Sequence, residues 1–331
     1  IDWRQSAKRE HAYIRENVVV GDHASVEWLG GLVSRVTSTQ AGTGAADTVN
    51  VSSGRNVVVA GVGTDTVTAT GGANVLIGDD ATVTFSGEFV SSVVSRSSTG
   101  GAGDSITGGT SDDVIVGGAG NDTISSGNGA NAVLGDYGDV SFVLGVAQTL
   151  VSADATQFGN DGITLGTGND AVVAGNGSDT ITDNGGRNAI VSDQGRIELA
   201  GSSLTLVSSD SASGGASDTV TGGVGDDVIV GGGLGDSISA GDGADVVVGD
   251  YGVVLLSGGA VQSVTSADPN EGGNDTINAG AGNDVVLAGS GNDTVTSVSG
   301  NNVFLGDRGS VTWDAGLLSS VVALTSVTSG D

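Results

Sequence analysis

Gly117-Gly118-Ala119-Gly120-Asn121-Asp122-Thr123-Ile124-Ser125 is a nine-residue stretch that joins a glycine-rich turn to a short strand. After Asp122, polar and apolar residues alternate, which places one side of the strand on a core and the other side outward. The glycines before Asp122 can adopt positive φ, so the chain can turn sharply there. A turn and a strand in nine residues form half a coil. Two such units predict an 18-residue coil, and successive coils are expected to stack as parallel strands.

The same unit recurs along most of the chain, anchored by the Asp or Asn that precedes each strand. The anchors lie nine residues apart in runs of four: Asp47/Asn56/Asp65/Asn74, Asp104/Asp113/Asp122/Asn131, Asp161/Asp170/Asp179/Asn188, Asp218/Asp227/Asp236/Asp245 and Asp275/Asp284/Asp293/Asn302. One such unit is a weak signal in a glycine-rich chain. Twenty anchors in register make the signal specific.

A longer period of 57 residues contains these runs. Its marker is a Gly-Asp pair that starts at residues 21, 78, 135, 249 and 306, and Ser192-Asp193 fills the remaining place in the series. No copy carries an insertion or a deletion. Surface loops tolerate changes of length, whereas each residue of a stacked solenoid must sit above its counterpart. The constant length therefore predicts a solenoid.

Each 57-residue repeat contains 21 residues outside its four nonapeptides, including segments such as Val140-Ser141-Phe142 and Leu150-Val151-Ser152. Two structures are open to this element: a third coil with one longer side, or a β-hairpin that leaves the stack. We predict the third coil (an 18+18+21 repeat), because a fixed period is easiest to keep when stacking is unbroken. The solenoid would then have about seventeen coils of ~4.8 Å each and a length of roughly 80 Å.

The charge of the chain is strongly negative and uneven in composition. The net charge is −29, and 33 of the 39 acidic residues are Asp. Nucleic acid is not expected as a partner, because binding it requires clustered Lys and Arg. Asp beside Gly is typical of turns and of oxygen-ligand sites for hard cations. Like charges ~5 Å apart on stacked strands repel by ~3 kcal/mol at an effective dielectric of 20, so the acidic edges are expected to need metal.

The repeated pattern G-G-x-G-x-D-x-U-x, with U apolar, resembles that of the RTX (repeats-in-toxin) family of calcium-binding β-rolls, from about Asn17 to the C-terminus. The resemblance implies an all-β fold, a right-handed parallel β-solenoid with multiple Ca²⁺ ions between stacked loops. On one edge it implies the ligand pairs Asp47/Asp65, Asp104/Asp122, Asp161/Asp179, Asp218/Asp236 and Asp275/Asp293. On the other edge it implies Asp113/Asn131, Asp170/Asn188, Asp227/Asp245 and Asp284/Asn302.

The chain departs from the family pattern in two ways. The last anchor of each repeat is usually Asn, with only Asp245 keeping a carboxylate, so weaker binding is expected there, and the pair Asn56/Asn74 is expected to be empty. In addition, the 21-residue element carries its acid at the second position of the marker. These acids are Asp22, Asp79, Asp136, Asp193, Asp250 and Asp307, and they could either close another site or cap a turn.

Residues 1–16 do not fit the repeat. We predict that they form an N-terminal cap or linker, and that residues 17–331 form the solenoid of about 5.5 tandem repeats. The segment from Asp2 to Ile14 can form a short helix with Asp2 as its N-cap. No apolar run approaches the ~20 residues that a membrane helix needs, so no membrane insertion is expected.

The leading functional hypothesis is structural. The only histidines are His11 and His23, there is no Cys, and no acid–base pair stands apart from the repeat, so we do not expect an enzyme. We expect a calcium-stabilised repeat rod of an extracellular bacterial surface protein, adhesin or filament. The resemblance further implies export by a Gram-negative type I route. The array could continue in further repeats or assemble end to end.

Two alternatives stay open. One is the calcium-binding C-terminal module of a secreted enzyme. The other is an ice-binding solenoid, which would need flat, regular rows of Thr and Asn. Gly166-Thr167-Gly168-Asn169-Asp170 has the required composition, but the matching loops break the row, as at Ser53-Gly54-Arg55 and Val224-Gly225-Asp226.

Overall fold

A computed structural model describes residues 16–38, 44–95, 101–153, 159–209, 215–267 and 272–324. All regular secondary structure within these ranges is β-strand. In chain order the strands are β1 (Glu16–Val20), β2 (Ala24–Leu29), β3 (Leu32–Ser38), β4 (Thr48–Val51), β5 (Arg55–Val59), β6 (Thr66–Ala69), β7 (Val75–Ile77), β8 (Ala81–Ser86), β9 (Phe89–Ser95), β10 (Ser105–Thr107), β11 (Val114–Val116), β12 (Thr123–Gly127), β13 (Ala132–Leu134), β14 (Gly138–Val143), β15 (Val146–Ser152), β16 (Gly162–Leu165), β17 (Ala171–Val173), β18 (Thr180–Thr182), β19 (Ala189–Val191), β20 (Gly195–Ala200), β21 (Ser203–Ser209), β22 (Thr219–Thr221), β23 (Val228–Val230), β24 (Ser237–Ser239), β25 (Val246–Val248), β26 (Gly252–Ser257), β27 (Ala260–Ser266), β28 (Thr276–Asn278), β29 (Val285–Leu287), β30 (Thr294–Thr296), β31 (Val303–Leu305), β32 (Gly309–Asp314) and β33 (Leu317–Ala323).

Two of the three sheets are parallel and form the solenoid. The central sheet has the order β1-β5-β7-β11-β13-β17-β19-β23-β25-β29-β31, and the outer sheet has the order β30-β28-β24-β22-β18-β16-β12-β10-β6-β4. Val133 of the central sheet pairs with Ile115 on one side and with Val172 on the other. This stacking of parallel strands, two coils per 57 residues, confirms the predicted parallel β-solenoid.

The third sheet is antiparallel and corrects one prediction. It joins twelve strands in the order β2-β3-β8-β9-β14-β15-β20-β21-β26-β27-β32-β33. Within a repeat Val140 pairs with Leu150, and between repeats Val140 pairs with Val93. The 21-residue element is therefore a β-hairpin, and the predicted third coil is wrong. Its turn reverses the chain through two residues with positive φ, Leu144 at 52° and Gly145 at 80°, and the hairpins keep their own stack by pairing with each other.

The central sheet lies between the other two and is buried on both faces. In β11, Val114 and Val116 pack in a cluster with hairpin residues such as Val140, whereas Ile115 packs in a second cluster with Ile124 of the outer sheet. Sheets covered on both faces have continuous apolar strands. This explains why the central strands read Val-Ile-Val while the outer strands alternate, as in Thr123-Ile124-Ser125.

The hairpin insertions shorten the rod. Because a hairpin adds no coil, the described residues place eleven stacked strands in the central sheet, which corresponds to a length of roughly 50 Å at the usual strand spacing. The roughly 80 Å expected from a third coil is therefore too long. Within the described part of the chain, no helix is long and apolar enough to cross a membrane. The predicted N-terminal helix falls on residues outside the described ranges, and Glu16 already belongs to β1.

Candidate metal centres

The anchors stack along the two edges of the solenoid. We call the edge where the chain leaves the central sheet, as at residues 117–122, the hairpin edge, and the edge where it returns, as at residues 108–113, the far edge. The hairpin-edge anchors are Asp47, Asp65, Asp104, Asp122, Asp161, Asp179, Asp218, Asp236, Asp275 and Asp293. The far-edge anchors are Asn56, Asn74, Asp113, Asn131, Asp170, Asn188, Asp227, Asp245, Asp284 and Asn302. The structure thus brings together all the predicted site residues in these two columns.

One carboxylate oxygen of each hairpin-edge anchor from Asp65 to Asp293 accepts a hydrogen bond that holds the stack. The backbone N–H of Asp104 donates to Oδ1 of Asp122 at 2.7 Å, and that of Asp65 donates to Oδ1 of Asp104 at 2.7 Å. The same bond recurs between successive anchors from Asp47 to Asp293. Partners are alternately 18 and 39 residues apart. The sequence predicted the first kind of pair and missed the second, such as Asp65/Asp104, because the second kind brackets a hairpin.

The other carboxylate oxygen is buried without a hydrogen-bond partner. This holds for Oδ2 of most described anchors, namely Asp65, Asp104, Asp122, Asp161, Asp179, Asp218, Asp236, Asp275 and Asp293 on the hairpin edge and Asp170, Asp227, Asp245 and Asp284 on the far edge. Burying a charged oxygen with no partner is costly. Cations are the partners that compensate such carboxylates, and Ca²⁺ prefers oxygen ligands of this type.

Burial also shifts the acidity of these groups. Desolvation, followed by the charge of Asp161, raises the pKa of Asp179 to about 10. Desolvation likewise raises the pKa of Asp104 to about 8 and that of Asp218 to about 8. Asp122 and Asp161 repel each other across the hairpin, and burial raises the pKa of both. Without a cation, the column therefore holds protons that a bound cation would displace.

Glycines let several of the free carboxylate oxygens approach the backbone closely. A Cβ on Gly78 would lie 2.1 Å from Asp104 Oδ2 and 2.6 Å from the carbonyl oxygen of Gly117. A Cβ on Gly117 would lie 2.3 Å from Asp122 Oδ2 and 2.3 Å from the carbonyl oxygen of Gly135. Carboxylate and carbonyl oxygens therefore lie together beside a Cα that can carry no side chain. This mixture of oxygens is the ligand set that Ca²⁺ takes in proteins.

Each site would use few carboxylates. Among the described residues, no group of three or more His, Cys, Asp or Glu side chains is placed to hold one metal ion. The residues that fit a calcium ion are therefore one or two stacked anchors together with carbonyl oxygens of the glycine-rich loops. Whether each predicted anchor is a ligand stays a prediction.

The acids of the Gly-Asp markers cap turns in the following repeat. Oδ1 of Asp193 accepts from the backbone N–H of Ala216 at 3.2 Å, and its Oδ2 accepts from that of Gly233 at 2.6 Å. Asp136 does the same for Gly159 and Asn176, at 3.2 and 2.8 Å. Of the two roles that the sequence left open, these contacts fit turn capping. The acids link the start of each hairpin to the two loops stacked next to it.

The far edge is less acidic because several of its anchors are Asn. The side-chain amides of these Asn residues donate hydrogen bonds to neighbouring anchors. Nδ2 of Asn74 donates to Oδ1 of Asp113 at 2.8 Å, and Nδ2 of Asn56 donates to Oδ1 of Asn74 at 2.7 Å. The pair Asn56/Asn74, predicted to be empty, thus has an amide hydrogen bond where other pairs have a free carboxylate oxygen. Asp113 differs from its neighbours, since its Oδ2 accepts from the backbone N–H of Gly109 at 2.8 Å.

Comparison with known proteins agrees with this geometry. The family model of the RTX calcium-binding nonapeptide repeat (4 copies) matches residues 41–80, 98–133, 158–196, 212–247 and 271–304, more than half of the chain. No curated protein matches the chain.

Proposed function

Because the chain belongs to the RTX calcium-binding nonapeptide repeat family, we propose that it is a calcium-stabilised structural rod of an extracellular bacterial surface protein, of the adhesin or filament kind. Repeats of this family bind several calcium ions along the array. The observation that carries the proposal is the column of hairpin-edge carboxylates from Asp65 to Asp293, each with one oxygen in a hydrogen bond and one buried oxygen free for a cation.

The arrangement favours a mechanical role over a catalytic one. Every buried anchor has counterparts above and below it in the same environment, as Asp122 has Asp104 and Asp161. An active site would instead need a group that differs from its repeats. The hairpin sheet adds a third layer over the central sheet and doubles its buried faces, which stiffens the stack without adding length.

The charge pattern also supports export before folding. At low calcium the anchors can be buried only as mutually repelling carboxylates or by taking up protons, and both are costly at neutral pH, so the chain would stay unfolded inside a cell. Outside, millimolar calcium would neutralise the columns and drive folding, since metal binding free energy contributes directly to folding. We propose secretion of this kind, through a type I route, as the course that the protein takes.

The first and last strands of the described hairpin sheet, β2 and β33, expose apolar side chains. Val83 and Val264 are fully buried in the hairpin sheet, whereas their counterparts in the end strands, Val26 of β2 and Val321 of β33, are 38% and 45% exposed. Within the chain Val264 pairs with Val311 of the next repeat. In the same register Val321 of one copy would meet Val26 of another. We propose end-to-end contact between copies through this pairing.

A calcium titration tests the main proposal. In metal-free buffer the circular dichroism of the chain is expected to be largely that of a disordered protein, and calcium in the millimolar range is expected to produce a β-spectrum. Small-angle scattering should then report an elongated particle. Magnesium is the control, since it demands octahedral geometry and dehydrates reluctantly. An identical β-spectrum in metal-free buffer, or the same response to magnesium, would contradict a calcium-built rod.

A specific surface favours a second candidate function, ice binding. The solvent face of the outer sheet has two rows of side chains: Thr48, Thr66, Ser105, Thr123, Gly162, Thr180, Thr219, Ser237, Thr276 and Thr294, and beside them Asn50, Thr68, Thr107, Ser125, Thr164, Thr182, Thr221, Ser239, Asn278 and Thr296. All but three of these residues carry a hydroxyl group, and none is charged. The hairpin sheet is different, since Glu27 lies opposite Arg35 and Arg196 pairs with Glu198.

These rows have a regular spacing of about 4.8 Å between strands and about 7 Å along them. Thr is stiff at χ1, so its hydroxyl groups form an ordered array. Such an array fits the oxygen lattice of ice, and the lack of aromatic side chains argues against sugar rings as the ligand. This surface differs from the loop rows considered from the sequence, which are broken.

Ice-affinity partition of the calcium-loaded chain tests this candidate. Thr182→Lys in the middle of the array is expected to abolish incorporation into ice, and Thr265→Lys on the exposed face of the hairpin sheet is the matched control. Exclusion of the unmodified chain from ice, or equal behaviour of the two variants, would rule out the candidate while leaving the calcium rod intact.

A further inference from the structure

The far edge contains one acid that the repeat does not predict. Asp183 follows β18 and stands five residues before the anchor Asn188, where the nonapeptide pattern has glycine. In the equivalent place before the other anchors of this edge, the chain has only uncharged residues: Val51, Ala69, Gly108, Ser126, Leu165, Gly222, Ala240, Ala279 and Ser297. Asp183 is thus specific to one coil.

The side chain of Asp183 is buried and only half satisfied. It is 4% exposed. Its Oδ2 accepts a hydrogen bond from the backbone N–H of Gly185 at 2.7 Å. Its Oδ1 is buried without a hydrogen-bond partner. A turn cap needs only the first of these oxygens. The second is a buried acceptor in need of a cation or a donor.

Asp183 lies at a level of the stack that lacks an anchor carboxylate. The backbone N–H of Asp170 donates to Oδ1 of Asn188 at 2.8 Å, and that of Asn188 donates to Oδ1 of Asp227 at 2.7 Å. Asn188 is therefore the uncharged rung between two acidic ones. Asp183 is close to both acidic neighbours of Asn188. Burial raises the pKa of Asp170 and of Asp227, and the negative charge of Asp183 raises both further.

Carboxylate oxygens of Asp183 and Asp227 flank one glycine pair. A Cβ on Gly222 would lie 3.0 Å from Asp227 Oδ2 and 2.4 Å from the carbonyl oxygen of Ala240, and a Cβ on Gly223 would lie 2.8 Å from Asp183 Oδ2. Asp227 Oδ2 is itself buried without a partner. The Asp183 oxygen beside Gly223 is the one that also accepts from Gly185, and the free Oδ1 belongs to the same carboxylate. Carboxylates of both acids and a carbonyl oxygen thus lie beside the adjacent glycines Gly222 and Gly223.

Two other repeats have serine, and not an acid, five residues before an Asn anchor of the far edge. Where the anchor is Asn131 or Asn302, the residue five positions earlier is a serine whose hydroxyl accepts from the anchor amide, at 3.3 Å for Ser126 and 2.7 Å for Ser297. Serine satisfies the amide without adding charge. At Asn188 the acid takes this place, and the amide Nδ2 of Asn188 donates instead to Oδ1 of Asp227 at 3.1 Å.

We propose that Asp183 is a ligand for a divalent hard cation, calcium, and that with Asp227 it makes one far-edge site that the anchor pattern alone does not provide. The proposal rests on the calcium-rod function. It gives the Asn188 level a charge that the Asn131 and Asn302 levels lack. Calcium affinity follows the charge of the ligand set, so this site binds more tightly than its two serine counterparts.

The test is a calcium-binding isotherm of the full chain by titration calorimetry, with Asp183→Asn and its matched control Asp226→Asn. Asp226 is an exposed acid of the same edge whose Oδ1 accepts from the backbone N–H of Ala244 at 2.8 Å, and Asn retains that acceptor. Asp183→Asn is expected to lose one ion or to weaken one site by roughly tenfold or more. Asp226→Asn should leave the isotherm unchanged, and Ser126→Asp should add a site.

Two results would overturn the proposal. Equal isotherms for Asp183→Asn and Asp226→Asn would show that Asp183 holds no cation. A loss of stability for Asp183→Asn that is the same with and without calcium, measured by denaturant unfolding, would reduce Asp183 to a turn cap. If the unmodified chain bound no calcium at all, the rod function itself would fail, which is a separate outcome.

Discussion

The backbone N–H of Asp122 donates a hydrogen bond of 2.8 Å to Oδ1 of Asp161, although the hairpin β14–β15 lies between them in the chain. The bond between Asp104 and Asp122, with no hairpin between them, is 2.7 Å. The column therefore continues across each hairpin as if the hairpin were absent. Each hairpin leaves the solenoid and returns at the same place. The anchors of the hairpin edge and the strands of the hairpin sheet therefore form two separate stacks within one chain.

At the start of several hairpins a glycine lies against a free carboxylate oxygen, and its substitution is expected to push that oxygen away. Gly78→Ala places a Cβ 2.1 Å from Asp104 Oδ2. We expect weaker calcium binding and a loss of ~1–3 kcal/mol of stability, typical of overpacking. Gly306→Ala is the matched control, because Gly306 holds the same repeat position with nothing within 4 Å of its Cβ.

Denaturant unfolding in calcium, combined with calorimetry, measures both effects. Gly306→Ala should resemble the unmodified chain in each. If the two alanine variants lost equal stability and equal calcium, backbone conformation rather than space for a cation would explain the glycines.

Removal of one charge from the column is expected to separate stacking from metal binding. Asp122→Asn keeps an Oδ1 that can accept from Asp104, at 2.7 Å in the unmodified chain, but removes the carboxylate whose Oδ2 is free. Calcium affinity should fall by roughly tenfold, because it follows ligand charge. The metal-free chain should fold more readily at neutral pH, because burial raises the pKa of Asp122 and folding must supply it with a proton that Asn does not need.

The control for that variant is Asp112→Asn. Asp112 is exposed and its Oδ1 accepts from the backbone N–H of Ala130 at 2.8 Å, so the charge change is the same without loss of a buried ligand. Calcium isotherms and thermal unfolding in metal-free buffer should distinguish the two variants. Identical results for both would mean that net charge, and not the buried column, controls calcium binding.

Much of this arrangement was predictable from the sequence, because period and alternation are local properties. The run from Gly117 to Ser125 fixes a turn and a strand, and its recurrence fixes parallel stacking. The hairpin was missed, although one signal for it was present. Central strands such as Val114-Ile115-Val116 are apolar on both faces, which requires a layer on each side, and a two-sided solenoid supplies only one. The third layer had to come from the 21-residue element.

The ligand pairs 39 residues apart could not be read from the sequence in the same way. Pairing Asp65 with Asp104 requires knowing that the intervening segment returns to its starting point. A third coil would have placed another rung between them. The free oxygen of Asp183 was also invisible, since an acid in a glycine-rich turn reads as an ordinary turn residue until its burial is known.

The metal-free fold is expected to respond to pH in the opposite direction from the calcium-loaded one. Desolvation raises the pKa of Asp104 and of Asp227 from 3.8 to about 8 in the folded chain. An acid whose pKa is raised by folding favours the folded state at low pH, and this advantage is lost as the pH rises through the folded value. Between pH ~4 and ~8 the metal-free chain should therefore lose stability as the pH increases.

With calcium the carboxylates must be ionised to bind, so acidification should release the ions. Circular dichroism from pH 8 to pH 4, in metal-free buffer and in calcium, measures both trends. A metal-free chain whose β-structure increases with pH would contradict the burial of these carboxyl groups.

The exposed end strand β33 is expected to mediate contact between copies. Its residue Val321 is 45% exposed, while Val264, one repeat earlier, is fully buried against Val311 of the following strand. Val321→Glu places a charge at the centre of the proposed pairing with Val26 of a second copy, and charges on edge strands block such pairing. Sedimentation velocity in calcium should show the unmodified chain growing in mass with concentration and the variant remaining monomeric.

Val146→Glu is the control, because Val146 is 53% exposed at a hairpin tip in the middle of the sheet, away from both ends. This variant should associate normally. A monomeric unmodified chain at high concentration, or equal association of both variants, would exclude assembly through the end strands of the hairpin sheet.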